Sequence, residues 1–373
     1  MKKRSILTTF ILVLAFIAAN AFAAAQVHVT EESQHPQSDQ HSDPGEEAGA
    51  EGGEFDPGEY ILDHIADSHE WHLFTNKHGD HVSVYLPVIV YSRESRLNIF
   101  SSKHLAHSHI YNGFMIMQEG ELKGRIVEVD KEGVIIEEKP PLDLSITKNV
   151  AAMIIVAIII LWLFISLAGS YRRSGISEPK GMQGFLEPVI VFIRDDIALQ
   201  NIGDSKHERY MPYLLTIFFF ILINNLMGLV PIIPGGANVT GNIAVTFTLA
   251  FITMVITNFS GSRGYWKHIF NTPGVPWWLK FPVPLMPVVE LIGVIAKPFA
   301  LMIRLFANIT AGHIIVLSLV SLIFIFKSVL IAPVSIVFVL FMDCLEILVA
   351  FLQAYVFTLL SALFIGLAVQ EHH

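Results

Sequence analysis

The sequence predicts an all-α polytopic membrane protein of about five membrane helices, preceded by a small extracytoplasmic β-rich region. Three observations carry that prediction. Hydrophobic residues make up 53% of the chain, 27 of them Phe, and only 15% are charged, against about 25% charged in ordinary soluble domains. Apolar tracts long enough to cross a bilayer fill the last two-thirds. Before residue 148 the pattern is instead one of short alternating runs and polar stretches.

The elements follow in order. Residues 1–25 read as a signal peptide: a basic MKKR, an apolar run Ile6–Ala18 and an Ala21-Phe22-Ala23 cleavage pattern, with cleavage after Ala23 or Ala25. An uncleaved first membrane helix is the competing reading, weakened by the shortness of the run. Residues 26–62 are acidic, Gly-rich and nearly free of aromatics, a composition that buries too little to order itself. Residues 63–147 contain HVSVYLPVIVYS, GFMIMQEG, GRIVEVD and GVIIEE, β-type runs separated by Gly-containing turns, and are read as an extracytoplasmic domain. The membrane domain, 148–373, opens with Val150–Gly169, twenty uncharged residues that match about 30 Å of hydrocarbon. Met211–Pro231 and Asn242–Asn258 are the next spans. The tracts 282–326 and 329–369 each exceed forty residues, so each is either a hairpin or a steeply tilted helix of about 60 Å. Neither has a Gly-Pro or Asn-Gly turn at its middle, which favours the long helix. Between the first two spans, Phe185, Val189, Phe192, Ile193 and Ile197 suggest an apolar helix face, lying on the membrane surface or capping other helices.

Charge sets the orientation. Arg172, Arg173, Lys180, Arg194, Lys206 and Arg209 occupy one loop, Arg263, Lys267 and Lys280 another, while the alternate connections hold only Lys327. The positive-inside rule makes the first two cytoplasmic, with the N-terminal region outside and the C-terminus inside. The single Cys344 excludes an intrachain disulfide framework. Eleven of sixteen histidines fall between His28 and His109, but without Cys or an H-E-x-x-H pattern they define no metal site. P-loop, GxSxG and Rossmann patterns are missing, and nothing points to a cofactor, nucleic acid or hydrolytic chemistry.

Arg304 is the most informative residue, because it lies inside an apolar tract where a charge costs at least roughly 2.5–3.5 kcal/mol and commonly marks an ion path. Glu290, Lys297, Arg304 and Ala311 recur every seven residues and share a helix face, since two turns drift by only about 20°. Asn308 lies one turn beyond Arg304, and Gly293 and Ala311 keep the stripe narrow enough for another helix to approach. The bland alternative is an internal salt bridge from Arg304 to a buried carboxylate, with Glu290 and Lys297 snorkelling to the interface. His313 belongs to the opposite surface of the same helix. In the last tract Asp343, Glu346 and Gln353 share a broad face, so His313 and Glu346 meet if the two helices pack antiparallel. A carboxylate beside an imidazole is suited to relaying protons, or simply to an interhelical hydrogen bond. Asp343 is equally an interfacial charge.

At this point the residues resemble a known family. KPFALMIRLFANITAGHIIVLSL resembles the signature of subunit a of the rotary ATP synthases: Lys297-Pro298, Arg304-Leu305-Phe306-Ala307-Asn308 and Ala311-Gly312-His313. MPYLLTIFFFILINNLMGLVP, TGNIAVTFTLA and LEILVAFLQAYVFTLLSALFIGLA extend the likeness over about 210–370. The resemblance implies that Arg304 is the essential arginine, that Gln353 faces it, and that His313 and Glu346 are an exchanging acid–base pair. It further implies that the last two tracts are long tilted helices beside a ring of c subunits, with a b-subunit stalk completing the complex. Function would then be proton (or Na⁺) translocation in the inner membrane, without catalysis in this chain. Asn308 joins the translocation candidates, with Glu290, Lys297 and Asp343 as accessory ones. The long N-terminal region departs from the compact family pattern. An ion-coupled secondary transporter is the alternative, but the internal repeat it calls for is not seen. An anchor whose working part is the outer domain leaves Arg304, Asn308 and Gln353 unexplained.

Overall fold

A computed structural model describes residues 58, 61, 66–75, 81–92, 96–117, 122–130, 134–136, 140–174, 181–230, 236–270, 285–326 and 332–370. The expected leader, 1–25, and all but two residues of the acidic segment, 26–62, lie outside the described residues.

The N-terminal region is built from short antiparallel strands. β1 (Glu70–Thr75) pairs with β2 (His81–Tyr85). β3 (Pro87–Ser92) lies between β4 (Arg96–Ser101) and β7 (Leu142–Asp143), while β5 (Phe114–Ile116) pairs with β6 (Ile126–Glu128). Alternation explains the layer, because Val88 and Val90 point into a small core with Leu105, Phe114 and Ile126. Phe100 and Tyr111 close that core edge-on, at 5.2 Å between rings. Within the runs expected at 81–92, 113–120 and 124–130, the described residues form strands at His81–Tyr85, Pro87–Ser92, Phe114–Ile116 and Ile126–Glu128. At 133–138 the described residues make only an isolated bridge, Val129 to Ile135. β1, β4 and β7 carry weak alternation and had no counterpart in the sequence reading.

This region is fastened to the first described helix long enough to span a membrane, α1 (Lys148–Ser174). The Lys148 amide donates to the Ser68 carbonyl at 2.8 Å, and the Asn149 amide donates to Asp67 Oδ1 at 3.1 Å. His69 Nε2 lies 2.9 Å from Asp143 Oδ2. Burial works to raise the Asp143 carboxyl, but the hydrogen bond and charge of His69, with Ser145, outweigh it and hold the group below its ordinary value. Trp71 is buried in the helical core rather than in the β layer.

Six further helices follow among the described residues. α2 runs from Met182 to Phe192 and continues through a π-helical stretch, Ile193–Leu199, to a last turn at Gln200–Ile202. α3 is His207–Leu229, α4 is Ile243–Ser260 and α5 is Arg263–Phe270. α6 (Leu285–Phe326) and α7 (Ala332–Val369) are single helices of 42 and 38 residues. That length, about 60 Å each, settles the hairpin question in favour of long helices. Among the described residues five helices, α1, α3, α4, α6 and α7, are long and apolar enough to cross a membrane. Helices suit such sequences because their backbone groups are satisfied within the segment. Asn242 caps α4, its Oδ1 accepting from the Ala244 amide at 2.9 Å.

α7 packs against α3 and α6, and α6 against α4. Small residues permit this: Gly366 meets the backbone of Asn201, with its carbonyl carbon 2.8 Å from where a Cβ would stand. α2 caps the bundle instead of lying free, since Leu186, Ile193, Ile197 and Ile202 are buried against it. Phe185, expected on that apolar face, is instead 76% exposed. Leu186, the next residue round the helix, takes the inward position. Lys206 Nζ donates to the Val369 carbonyl at 3.0 Å, and the Ser262 amide donates to the Ala368 carbonyl at 2.8 Å. These contacts gather the start of α3, the α4–α5 corner and the end of α7 at one end of the bundle.

Candidate functional site

The site lies along the seam of α6 and α7. Three contacts fix their register as antiparallel. The Ser335 hydroxyl donates to the Leu319 carbonyl, His313 Nδ1 lies 3.7 Å from Glu346 Oε2, and Lys297 Nζ lies 5.7 Å from the Phe364 ring centroid. These pairs run in opposite order along the two helices, and Arg304 and Gln353 both lie between the His313–Glu346 and Lys297–Phe364 contacts.

α6 divides into two faces. Pro298, Leu301, Met302 and Leu305 are buried toward the bundle, whereas Lys297, Arg304, Ala307, Asn308 and Ala311 are exposed. The stripe read from the sequence is therefore an open face of α6, with Glu290 half-buried at its start. The salt-bridge alternative for Arg304 is not what the fold makes: no ion pair or hydrogen bond joins Arg304 to another described residue. The Arg304 guanidinium on this open face is left to meet whatever packs there. Gln353 is only 2% exposed. It shares no hydrogen bond with Arg304 among the described residues.

The structure does bring His313 and Glu346 together, with side chains 18% and 11% exposed. Two glycines make room for them. A Cβ on Gly312 would stand 3.1 Å from Glu346 Cδ, and one on Gly228 of α3 would stand 3.7 Å from His313 Nε2. Asp343 is half-buried one turn before Glu346. Glu346 Oε1 is buried without a hydrogen-bond partner, as is Thr310 Oγ1.

A buried polar group beside this pair escaped the sequence reading. Thr240 Oγ1 donates to Asn225 Oδ1 at 2.6 Å, and Asn224 Nδ2 donates to the Phe220 carbonyl at 2.8 Å. Asn225 Nδ2, Asn224 Oδ1 and Asn238 Nδ2 remain buried without partners. Such atoms are the chemistry that recruits ordered water. Asn225 lies one turn before Gly228, hence on the side of α3 that meets His313. The signal was present as an Asn-Asn pair inside an apolar span, where polar residues are costly.

At the opposite end of the seam a cavity is lined by Thr257, Asn258, Tyr265, Lys297 and Phe364. Tyr265 donates to Asn258 Oδ1 at 3.2 Å, and Thr257 Oγ1 is buried without a partner. Burial, with Glu290 nearby, raises the Tyr265 hydroxyl above its ordinary value. Polar ground thus adjoins both ends of the Arg304 stripe, and the described contacts hold no continuous polar link across it.

Comparison with known proteins bears on this geometry. A family model described as ATP synthase A chain matches residues 150–366, and one described as a domain of unknown function (DUF8433) matches 60–146. The chain is 51% identical over 238 residues to ATP synthase subunit a of Chloroherpeton thalassium, covering 62% of this chain and 69% of the relative. It is 52% identical over 234 residues to ATP synthase subunit a 2 of Chlorobaculum tepidum, covering 61% and 64%. With ATP synthase subunit a of Myxococcus xanthus the identity is 44% over 242 residues, covering 62% and 75%.

Proposed function

The chain belongs to the ATP synthase A chain family, and from that premise we propose that it is the stationary proton-channel subunit of an F-type ATP synthase. It works as a non-catalytic, multi-pass subunit of the membrane sector. Its neighbours are a ring of c subunits and the b stalk, in the inner membrane. The N-terminal region faces outward, and the domain limits are 63–147 and 148–373 behind the 1–25 leader.

The observation that carries the reading is the division of the α6–α7 seam. His313 and Glu346 meet on one side beside buried Asn and Thr side chains, and Arg304 stands exposed and unpaired between them and the Lys297 cavity. Protons enter from the outside through an inlet half-channel past Glu346 and His313, with Asn225 and Thr240 holding water for the transfer. They neutralise a carboxylate on the adjoining rotor ring, which then turns into lipid. On return the site meets an outlet half-channel on the cytoplasmic side, near Lys297 and Glu290. There Arg304 favours the ionised carboxylate, because a fixed cation lowers the energy of a neighbouring anion most where the dielectric is low. The same charge opposes direct leakage between half-channels. Asn308 and Gln353 orient groups beside it, and each charge crossing 100 mV releases about 2.3 kcal/mol.

The test is ATP-driven acidification of inverted membrane vesicles, wild type beside Arg304→Ala, with immunoblots for assembly. Loss of pumping in an intact complex is expected. Undiminished pumping would remove Arg304 from ion transfer and the mechanism with it.

A further inference from the structure

α5 is short, yet its two sides differ sharply. Ile269 is buried, and Tyr265 turns toward the cavity near Lys297. Arg263, Trp266, Lys267 and Phe270 are exposed, at the spacing i, i+3, i+4, i+7 of one helix face. Trp266 and Phe270 stack with ring centroids 6.2 Å apart, and are 38% and 62% exposed. Neither Arg263 nor Lys267 is paired with a carboxylate among the described residues.

This face follows directly on a helix long and apolar enough to cross a membrane. On the membrane-spanning α4, Phe247 and Phe251 stack at 5.9 Å on the exposed side, and Phe259 on the last turn is 89% exposed. Gly261 turns the chain within two residues, and α5 is pinned there by the Ser262 contacts to Ala368 and Gln370. Exposed phenylalanines of α4 are thus followed, across a two-residue turn, by a stripe that alternates aromatic and basic side chains. Aromatic rings seat at the headgroup level, and Lys and Arg attract anionic headgroups. A water-facing loop has no use for Phe259 and Phe270 so openly exposed.

We propose that the Arg263–Trp266–Lys267–Phe270 face of α5 is a docking site for anionic phospholipid of the leaflet at this end of the bundle. The rings insert beside the acyl chains, and the two basic groups hold the phosphate-bearing headgroup. A bound lipid would fix the α4–α5 corner, and through it the wall of the cavity formed by Asn258 and Tyr265.

The test uses the full chain assembled in its complex, with Trp266 replaced by the photoreactive p-benzoylphenylalanine. The complex is reconstituted in vesicles of phosphatidylcholine with phosphatidylglycerol, irradiated, and the adducts weighed by mass spectrometry. The expected result is a phospholipid adduct at 266 enriched in phosphatidylglycerol, by roughly 30-fold if both basic groups act at the surface. Arg263→Gln with Lys267→Gln in the same background should bring that preference close to parity while leaving lipid adducts. A cross-link to another protein chain, lipid adducts without headgroup preference in the parent, or no lipid adduct would each overturn the proposal.

Discussion

Gly312→Ala tests the inlet geometry with a single carbon. A Cβ at 312 would stand 3.1 Å from Glu346 Cδ and 3.3 Å from Cγ, and closer still to one carboxylate oxygen. The obstacle is the far end of a flexible side chain, so the helices need not part. The carboxylate must swing, and it leaves the position 3.7 Å from His313 that the fold gives it. Holding Glu off its preferred rotamer costs about 0.5–1.5 kcal/mol. If that cost falls on the proton-transfer step, the rate drops roughly two- to twelvefold. Alanine also favours helix over glycine by about 1 kcal/mol, so assembly should not suffer. Gly169→Ala on α1 is the control, since nothing lies within 4 Å of its Cβ and it is remote from the α6 stripe. The assay is the initial rate of ATP-driven acidification in inverted vesicles, normalised to assembled complex. Wild-type rates for Gly312→Ala, or an equal loss for Gly169→Ala, would refute the argument.

Other expectations concern different parts of the chain. Arg304→Lys should fail nearly as Arg304→Ala does if the planar guanidinium is needed, measured by the same acidification assay. Glu346→Gln and His313→Ala should each slow proton uptake, and exchanging the two residues should partly restore it; normal rates in both singles would remove the pair from the path. Gly366→Ala meets backbone of Asn201 that cannot swing aside, so it should destabilise the bundle by about 1–3 kcal/mol, read as a lowered Tm of the purified complex. The Asp143 carboxyl is held below its ordinary 3.8, so its contribution to the β-region–α1 junction is complete above that pH and is lost as pH falls through the depressed value. Asp143→Asn should therefore flatten the acid limb of a Trp71-sensitive unfolding curve.

Much of this protein was legible in one dimension, because membrane insertion writes its constraints locally. Length and apolarity alone marked Val150–Gly169, and a permanent charge in hydrocarbon singled out Arg304 without any partner in view. The heptad spacing from Glu290 to Ala311 set their common face, since helical periodicity needs only residue numbers. Other features depend on groups far apart in sequence. The register of α6 on α7 decided that His313 meets Glu346, and burial decided that Gln353 is enclosed while Arg304 is exposed. Asn225 with Thr240, His69 with Asp143 and Gly366 against Asn201 are likewise contacts of packing, and no periodicity announces them. Phe185 shows the limit plainly: five apolar positions suggested its face, but which side of α2 met the bundle was settled by the neighbours it packs against. The sequence determined where helices form and where charge is expensive, because those follow from local chemistry and solvent. Only the tertiary structure decided which polar groups meet, because that depends on how distant helices exclude everything else.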